Sequence, residues 1–202
     1  MIKNIVFDMG NVLILYDAQR YIKDYVDNEA DKELLYYEVF GSVEWIRRDH
    51  GTMTESEAIE SICKRLPQRL HQSVATLFEN WHKDIPPFPE MESLIERLKK
   101  AGYNIYLLSN TGDRYYTFRK NIPALRFFDG EFISCDWHLL KPDIAIFHTF
   151  CLHFGLNPAE CFFVDDSPAN IYGAQQAGMH GFVYYRNTEA LERALKECGV
   201  RF

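Results

Sequence analysis

Asp8 ends a run of strand-type residues, Ile5-Val-Phe-Asp-Met-Gly-Asn-Val12, in which an apolar β-branched segment stops at an acid and meets a glycine two residues on. Such a run reads as a buried parallel strand ending in a functional loop. Ligands of open α/β sheets gather at the carboxyl ends of those strands. The pattern recurs twice. Ile105-Tyr-Leu-Leu-Ser-Asn-Thr-Gly112 carries a second strand to Ser109, and Cys161-Phe-Phe-Val-Asp-Asp-Ser167 carries a third to Asp165 and Asp166. Between them stands Lys141-Pro142-Asp143, just ahead of a helical pattern. An aspartate, a hydroxyl, a lysine and a paired acid, in that order, are the parts that phosphoryl transfer through an aspartyl-phosphate uses.

Three stretches of different pattern must position these groups. Residues 1–15 read as one strand and its loop, 17–84 as helical throughout, and 89–202 as alternating helix and strand. In the middle stretch Ile22, Tyr25 and Val26 show helical spacing, as do Leu34, Leu35, Val39 and Phe40. Thr54-Glu-Ser-Glu57 has the form of a capping box, and the helix it opens carries Ala58, Ile59, Ile62, Cys63 and Leu66 before Pro67 stops it. Val74, Leu77, Phe78 and Trp81 mark another helix, and Pro86-Pro-Phe-Pro89 makes a stiff extended connection. A four- or five-helix insert is the simplest account. Further on, a helix opens at Pro89 and closes at Gly102, and strands are expected at Tyr103–Leu108, Glu131–Ser134, Cys161–Val164 and Gly181–Tyr184. Helices are expected at Asp143–Phe154, Pro168–Gly178 and Thr188–Cys198. Alternation of this kind implies an α/β fold, a Rossmann-like parallel sheet with helices on both faces. Residues 1–16 and 85–202 would form that core, and 17–84 an all-helical cap inserted in it.

Composition narrows the function. Aromatic residues at 15% and hydrophobic residues at 47% exclude a disordered chain. A formal net charge of −7 with no Lys/Arg block argues against nucleic acid, whose phosphates would need a basic face. No apolar stretch approaches the roughly 20 residues of a membrane helix, and Met1-Ile-Lys-Asn runs straight into a core strand without a signal peptide. Cys63, Cys135, Cys151, Cys161 and Cys198 are scattered and odd in number, with no C-x-x-C pair, which suits a reduced cytoplasmic protein. His148 and His153 are five apart among aromatics, poor spacing for metal ligands, and read as partly buried helix histidines.

With these residues in place the chain resembles the haloacid dehalogenase-like hydrolase superfamily. Four motifs stand in that family's order over essentially all 202 residues, and the helical insert falls where the family's cap falls, between the first and second motifs. The Asp-x-Gly-Asn-Val form of the first motif is similar to the branch of bacterial sugar-phosphate phosphatases that includes enzymes acting on α-glucose-1-phosphate. The resemblance implies that Asp8 is the nucleophile and that Ser109, with Asn110 nearby, binds a phosphoryl oxygen. Lys141 would neutralise the nucleophile and the transferring group, with Pro142 at the first helical position fixing its approach. Asp8, the Gly10 carbonyl, Asp165 and Asp166 would hold Mg²⁺, a hard cation that prefers oxygen ligands. Alternatively, the acidic pair would cap the helix that opens near Pro168. Asn170, about one turn after Asp166, would orient the pair. The expected partner is a small phosphorylated metabolite, a sugar phosphate by preference, and the expected state a monomer or homodimer.

One position departs from the family's pattern. Most family phosphatases carry a second aspartate two residues after the nucleophile, which protonates the leaving oxygen and then activates water. Here that position is Gly10. General acid–base catalysis is worth roughly 10²–10⁴-fold. Either the substrate has a better leaving group, or a cap residue or a water supplies the proton, with Asp17, Asp49 and His50 as candidates. Two other readings follow from Gly10: a metal-independent 2-haloacid dehalogenase, or a phosphometabolite-binding protein with little turnover. The retained pair Asp165–Asp166 argues against the dehalogenase, since it would repel an incoming carboxylate. A two-component receiver domain orders its groups differently and has no room for the insert. Within the cap, Trp45, Arg47, Arg48 and His50 form the most ligand-like cluster. An arginine there would meet a second anionic group and Trp45 a sugar face, or else Trp45 belongs to the cap core. Val12–Tyr16 and Ile85–Phe88 would be the hinges.

Overall fold

The computed structural model describes all 202 residues, Met1–Phe202. Strands β1 (Asn4–Phe7), β2 (Asn104–Ser109), β3 (Gly130–Ile133), β4 (Cys161–Asp165) and β5 (His180–Val183) lie parallel in one sheet, in the spatial order β3-β2-β1-β4-β5. Between β1 and β2 the chain makes α1 (Ala18–Ile22), α2 (Glu29–Leu35), α3 (Val43–Asp49), α4 (Glu55–Cys63), α5 (His71–Asn80) and α6 (Pro89–Lys100). Beyond β2, α7 (Tyr115–Phe118) and α8 (Ser134–Trp137) flank β3, and α9 (Ile144–Phe154) leads to β4. Then α10 (Pro168–Gln176) links β4 to β5, and α11 (Thr188–Glu197) follows. None of these helices is long and apolar enough to cross a membrane.

The strands read as unbroken apolar runs because both sheet faces are buried. Ile5, Phe7, Ile105, Leu107, Phe162 and Val164 point into one core, where Met91, Leu94, Ile95 and Leu98 of α6 and Leu191 and Leu195 of α11 meet them. Val6, Tyr106, Leu108, Phe132 and Phe163 point the other way, against Ile146, Phe147 and Phe150 of α9 and Ile171 and Ala174 of α10. Each fully buried Val, Leu, Ile, Phe or Met side chain among them contributes about 1.5–3 kcal/mol. The period-2 alternation therefore fixes the sheet with helices on both sides, and it leaves the strands' carboxyl ends side by side.

Local signals explain several element ends. The Thr54 capping box forms as written: the Glu57 N–H donates to Thr54 Oγ1 at 3.3 Å and the Thr54 N–H to Glu57 Oε2 at 2.8 Å. Other boundaries move. Helix α1 stops at Ile22, and the Tyr25 N–H turns back to the Ile22 carbonyl at 3.0 Å, so Tyr25 and Val26 lie outside it. Asp143 caps α9 through the Ala145 N–H at 2.9 Å rather than opening it, which leaves Pro142 outside the helix and not at its first position. In β3 and β5 the last sheet pairs, Ser109 with Ile133 and Asp165 with Val183, set the ends.

The two connections flanking the 17–84 stretch run against each other. Ile14 pairs antiparallel with Pro87, the Leu15 N–H donates to the Pro86 carbonyl at 2.9 Å, and the Phe88 N–H to the Leu13 carbonyl at 2.9 Å. Across the seam between this stretch and the sheet, Arg48 Nη2 lies 2.6 Å from Asp113 Oδ1, and Arg114 Nε donates to Glu55 at 3.2 Å. Ser134 Oγ donates to the Asp49 carbonyl at 2.6 Å, and His138 Nδ1 lies 2.9 Å from the His50 carbonyl.

Candidate active site

The adjacent strands β2, β1 and β4 end at Ser109, one residue short of Asp8, and at Asp165. Their ends form the floor of a cavity of about 310 Å³. Asp8, Gly10, Asn11, Ser109, Asn110, Thr111, Lys141, Asp166 and Asn170 line that floor, while Ile14, Tyr16, Trp45, Asp49 and Trp81 stand around the rest of it.

Lys141 organises the floor. Its side chain is buried, and its three ammonium protons have three acceptors: Asp165 Oδ2 at 2.6 Å, Asp8 Oδ1 at 2.8 Å and the Leu108 carbonyl at 3.0 Å. The loop carrying it is braced by Asn110, whose Oδ1 accepts from the Lys141 N–H and whose Nδ2 donates to the Lys141 carbonyl, both at 2.9 Å. Asn110, expected near the phosphate, thus spends its amide on the lysine loop. Burial pulls the Lys141 ammonium down, but Asp165 and Asp8 outweigh it and hold the group above its ordinary value. For Asp8 the balance runs the other way: burial pushes the carboxyl up to about 6 against the attraction of Lys141, and Asp165 adds to the rise. The lysine is shared between two acids, so Asp8 does not receive its whole compensation.

The paired acids are not equivalent. Asp165 is fully buried, and its oxygens accept from Lys141, from the Ser167 N–H at 2.8 Å and from Asn170 Nδ2 at 3.0 Å. Asp166 faces the cavity and takes one side-chain hydrogen bond, from Asn11 Nδ2 at 3.0 Å. Burial raises its carboxyl, with Asn11 opposing. Carboxylate oxygens of Asp8, Asp165 and Asp166 all lie within 4.8 Å of one another. A crowd of anionic oxygens with one ammonium among them has the chemistry of a hard divalent-cation site. The helix cap at α10 goes instead to Ser167, whose Oγ accepts from the Asn170 N–H.

The rest of the expected cluster separates. Trp45 reaches the cavity and also packs on Trp81, ring centroids 5.5 Å apart. Arg48 is buried at the seam on Asp113, with Glu55 at 3.5 Å and the Met53 carbonyl at 3.3 Å, so it is spent on structure. Arg47 is exposed and donates to the Thr52 carbonyl at 3.2 Å. His50 lies beside His138, outside the cavity lining. Asp17 caps α1, accepting from the Gln19 and Arg20 N–H groups. Of the three candidate proton donors, only Asp49 lines the cavity.

Sequence reasoning missed Asn11, Tyr16, Trp81 and Ser134. Asn11 sits at φ +55, the left-handed region asparagine tolerates, and it joins Asp166 to Arg186, whose Nη2 donates to its Oδ1 at 2.9 Å. An asparagine after glycine at a strand end is the signal that marks it. Ser134 accepts from the Thr111 N–H at 2.9 Å while donating to Asp49, a link that joins residues 85 apart and leaves no local trace.

Comparison with known proteins places the chain in a family and a fold. A family profile described as haloacid dehalogenase-like hydrolase matches residues 2–178. The sesquiterpene phosphatase AstK of Aspergillus oryzae is 26% identical over 89% of this chain and 88% of its own length. The D-ribitol-5-phosphate phosphatase of Bacteroides thetaiotaomicron is 26% identical over 90% and 91%. The match to flavin mononucleotide hydrolase 1 of Arabidopsis thaliana is partial, 26% identical over 54% of this chain and 44% of the relative. In fold, the chain is similar to a Bacteroides thetaiotaomicron enzyme solved with magnesium and inorganic phosphate, with a TM-score of 0.73 at 24% identity over 95% of this chain and 99% of that one.

Proposed function

The chain belongs to the haloacid dehalogenase-like hydrolase family, and from that premise we propose that it is a Mg²⁺-dependent phosphatase of a small phosphorylated metabolite, a sugar phosphate by preference, working through an aspartyl-phosphate on Asp8. The observation that carries this reading is the Asp8–Lys141–Asp165 array, which reaches the cavity floor through Asp8 and Lys141, with the Asp166 carboxylate open beside it. Asp8 attacks phosphorus. Ser109 donates its hydroxyl to a phosphoryl oxygen, and Lys141 supplies fixed positive charge next to the nucleophile. Asp8, Asp166 and the Gly10 carbonyl would hold the Mg²⁺, with Asp165 close by and holding Lys141 in place. When bound, the ion supplies charge that neutralises the phosphoryl oxygens. Asn170 and Asn11 orient the two acids.

In this reading residues 1–16 and 85–202 are the catalytic core and 17–84 the cap, which screens the site from water and contacts the leaving group. The cap side of the cavity offers rings and an aliphatic side chain, Ile14, Tyr16, Trp45 and Trp81, and no cation. With Arg48 spent at the seam and Arg47 pointing away, a second anionic group on the substrate has no partner there. That favours a monophosphate whose remaining part is neutral, with rings available to stack on the C–H face of a sugar. Every residue this reading uses comes from one chain, which accommodates a monomer or a homodimer. The five cysteines are free thiols, in keeping with the reducing cytoplasm.

A panel of phosphorylated metabolites and 2-haloacids, assayed with Mg²⁺ and with a chelator, tests the proposal. Phosphate release that needs Mg²⁺ and disappears in Asp8→Asn supports it. Halide release without metal would replace it with the dehalogenase. A metabolite that raises the melting temperature without turnover would replace it with a binding protein.

A further inference from the structure

Breaking a phosphate ester of an unactivated alcohol requires a proton at the leaving oxygen, and at Gly10 the chain has no side chain to deliver one. The ionisable side chains lining the cavity are Asp8, Tyr16, Asp49, Lys141 and Asp166. Asp8 is the nucleophile in the reading above, on which this inference rests, and Asp166 belongs to the acidic cluster. Lys141 donates all three protons to fixed acceptors. Tyr16 is held well above the ordinary phenol range, first by burial and then by the charge of Asp49, so it keeps its proton.

Asp49 remains, and its setting is built. It is the last residue of α3, one turn after Trp45, so both side chains project from one helix face into the cavity. Its backbone is fastened to the sheet end rather than carried freely on the cap. Ser134 donates to its carbonyl at 2.6 Å and itself accepts from Thr111 beside Ser109, and the next carbonyl, of His50, meets His138 at 2.9 Å. We infer that Asp49 is the general acid and base of this enzyme, acting from the cap on the alcohol side of the phosphate.

In the first step an Asp8 oxygen bonds to phosphorus and the bond from phosphorus to the ester oxygen breaks. Its electron pair stays on that oxygen, which takes the Asp49 proton and leaves as the alcohol. In the second step the Asp49 carboxylate removes a proton from water as its oxygen bonds to phosphorus. The phosphorus–Asp8 bond breaks, inorganic phosphate leaves, and Asp49 is again protonated. The net reaction is one ester plus one water to one alcohol plus one phosphate. Burial raises the Asp49 carboxyl to about 7, with Arg48 and the Gly112 N–H opposing and Asp8 adding to the rise. Tyr16 and Cys135 are the other titratable groups that feel its charge.

Two probes of similar size, p-nitrobenzyl phosphate and p-nitrophenyl phosphate, separate the steps, because only the first has an unactivated alcohol to expel. Asp49→Asn is expected to lower kcat/KM for p-nitrobenzyl phosphate by about 10²–10⁴-fold. With p-nitrophenyl phosphate it should give a burst of about one product per enzyme followed by slow turnover, as the acyl phosphate waits for its lost base. Gly10→Asp in the Asp49→Asn background should recover turnover. A Cβ at Gly10 meets only ordinary contact, 3.6 Å from Tyr16 Cβ, and the backbone there is not left-handed. Equal losses on both probes without a burst, or no loss at all, overturn the assignment. A wild-type protein that hydrolyses neither probe nor any panel member overturns the phosphatase reading itself. A melting temperature of Asp49→Asn at or above that of wild type shows that any loss is chemical.

Discussion

Gly51→Ala tests whether the end of α3 is truly docked on the sheet. Gly51 has φ +75, and a Cβ built on it would lie 2.1 Å from the Cys135 carbonyl oxygen and 2.9 Å from His138 Nδ1. Two costs follow. An alanine in the left-handed region loses roughly 1–2 kcal/mol. The backbone contact must also open by about 1 Å, and in a close-packed interior such overpacking costs typically ~1–3 kcal/mol more. Gly155 isolates the first cost, since its φ is +65 and nothing lies within 4 Å of its Cβ position. Urea unfolding followed by tryptophan fluorescence, with Trp45 and Trp81 near the seam, gives both differences. Gly155→Ala should lose roughly 1–2 kcal/mol and Gly51→Ala about twice that or more. At ~2–4 °C per kcal/mol for a chain of this size, the two melting temperatures should separate by several degrees. Moving α3 by about 1 Å also displaces Asp49, and a misplacement of that size costs on the order of 10²-fold in rate. If Gly51→Ala and Gly155→Ala unfold together and Gly51→Ala keeps full activity, the docking does not constrain the site.

Three further outcomes are expected. In the metal-free protein, Asp8 sits at about 6 against an ordinary 3.8, so between roughly pH 4 and 6 the folded chain holds a proton that the unfolded chain has shed. Stability therefore falls as pH rises through that window, by up to ~3 kcal/mol. Asp8→Asn should reduce the slope here and leave the share of Asp49, whose carboxyl burial likewise raises to about 7, and an unchanged slope in urea titrations would refute the assignment. Asp165→Asn, which removes a fully buried partner of Lys141, should cost about 3–5 kcal/mol. Asp166→Asn should leave the melting temperature near wild type but weaken Mg²⁺ binding, read by calorimetry, roughly tenfold or more; the opposite ranking would reverse the roles of the two acids. Arg48→Met and Asp113→Asn in a double-mutant cycle should show coupling of about 1 kcal/mol or less, because the Asp113 side chain is 72% exposed.

What could be read from the chain follows from the geometry of parallel sheets. A strand buried on both faces is an apolar run, so its end is visible in sequence, and ends of neighbouring strands lie together. Asp8 and Ser109 meet on the cavity floor for that reason, with Asp165 buried next to them on Lys141. Lys141 lies on a loop, and its placement depends on Asn110 and Asp165, residues far away in sequence. The inward face of α3 was harder to read. Trp45, Arg47, Arg48, Asp49 and His50 are nearly consecutive, and the period of a helix says only that Trp45 and Asp49 share a face. Which face turns inward is decided by Phe78 and Trp81 packing on Trp45 and by Arg48 meeting Asp113. An arginine cluster thus looked ligand-like in sequence, while the fold uses Arg48 as a tie. The α1 boundary failed for a similar reason: the Ile22, Tyr25, Val26 spacing is helical, but the chain turns after Ile22.

The bridge between Ile14 and Pro87 brings the two ends of the 17–84 stretch to the same point on the sheet rim. A segment that leaves and returns at one doorway is a removable module: its length and internal fold can change without altering how the flanking strands pair. On the proposed mechanism the groups that act on phosphorus, Asp8, Ser109 and Lys141, lie outside the module, whereas Trp45 and Asp49 arrive with it. On that mechanism, exchanging it for another helical segment on the same doorway would replace the surface that meets the alcohol and the proposed proton donor together, and leave Asp8 where it is.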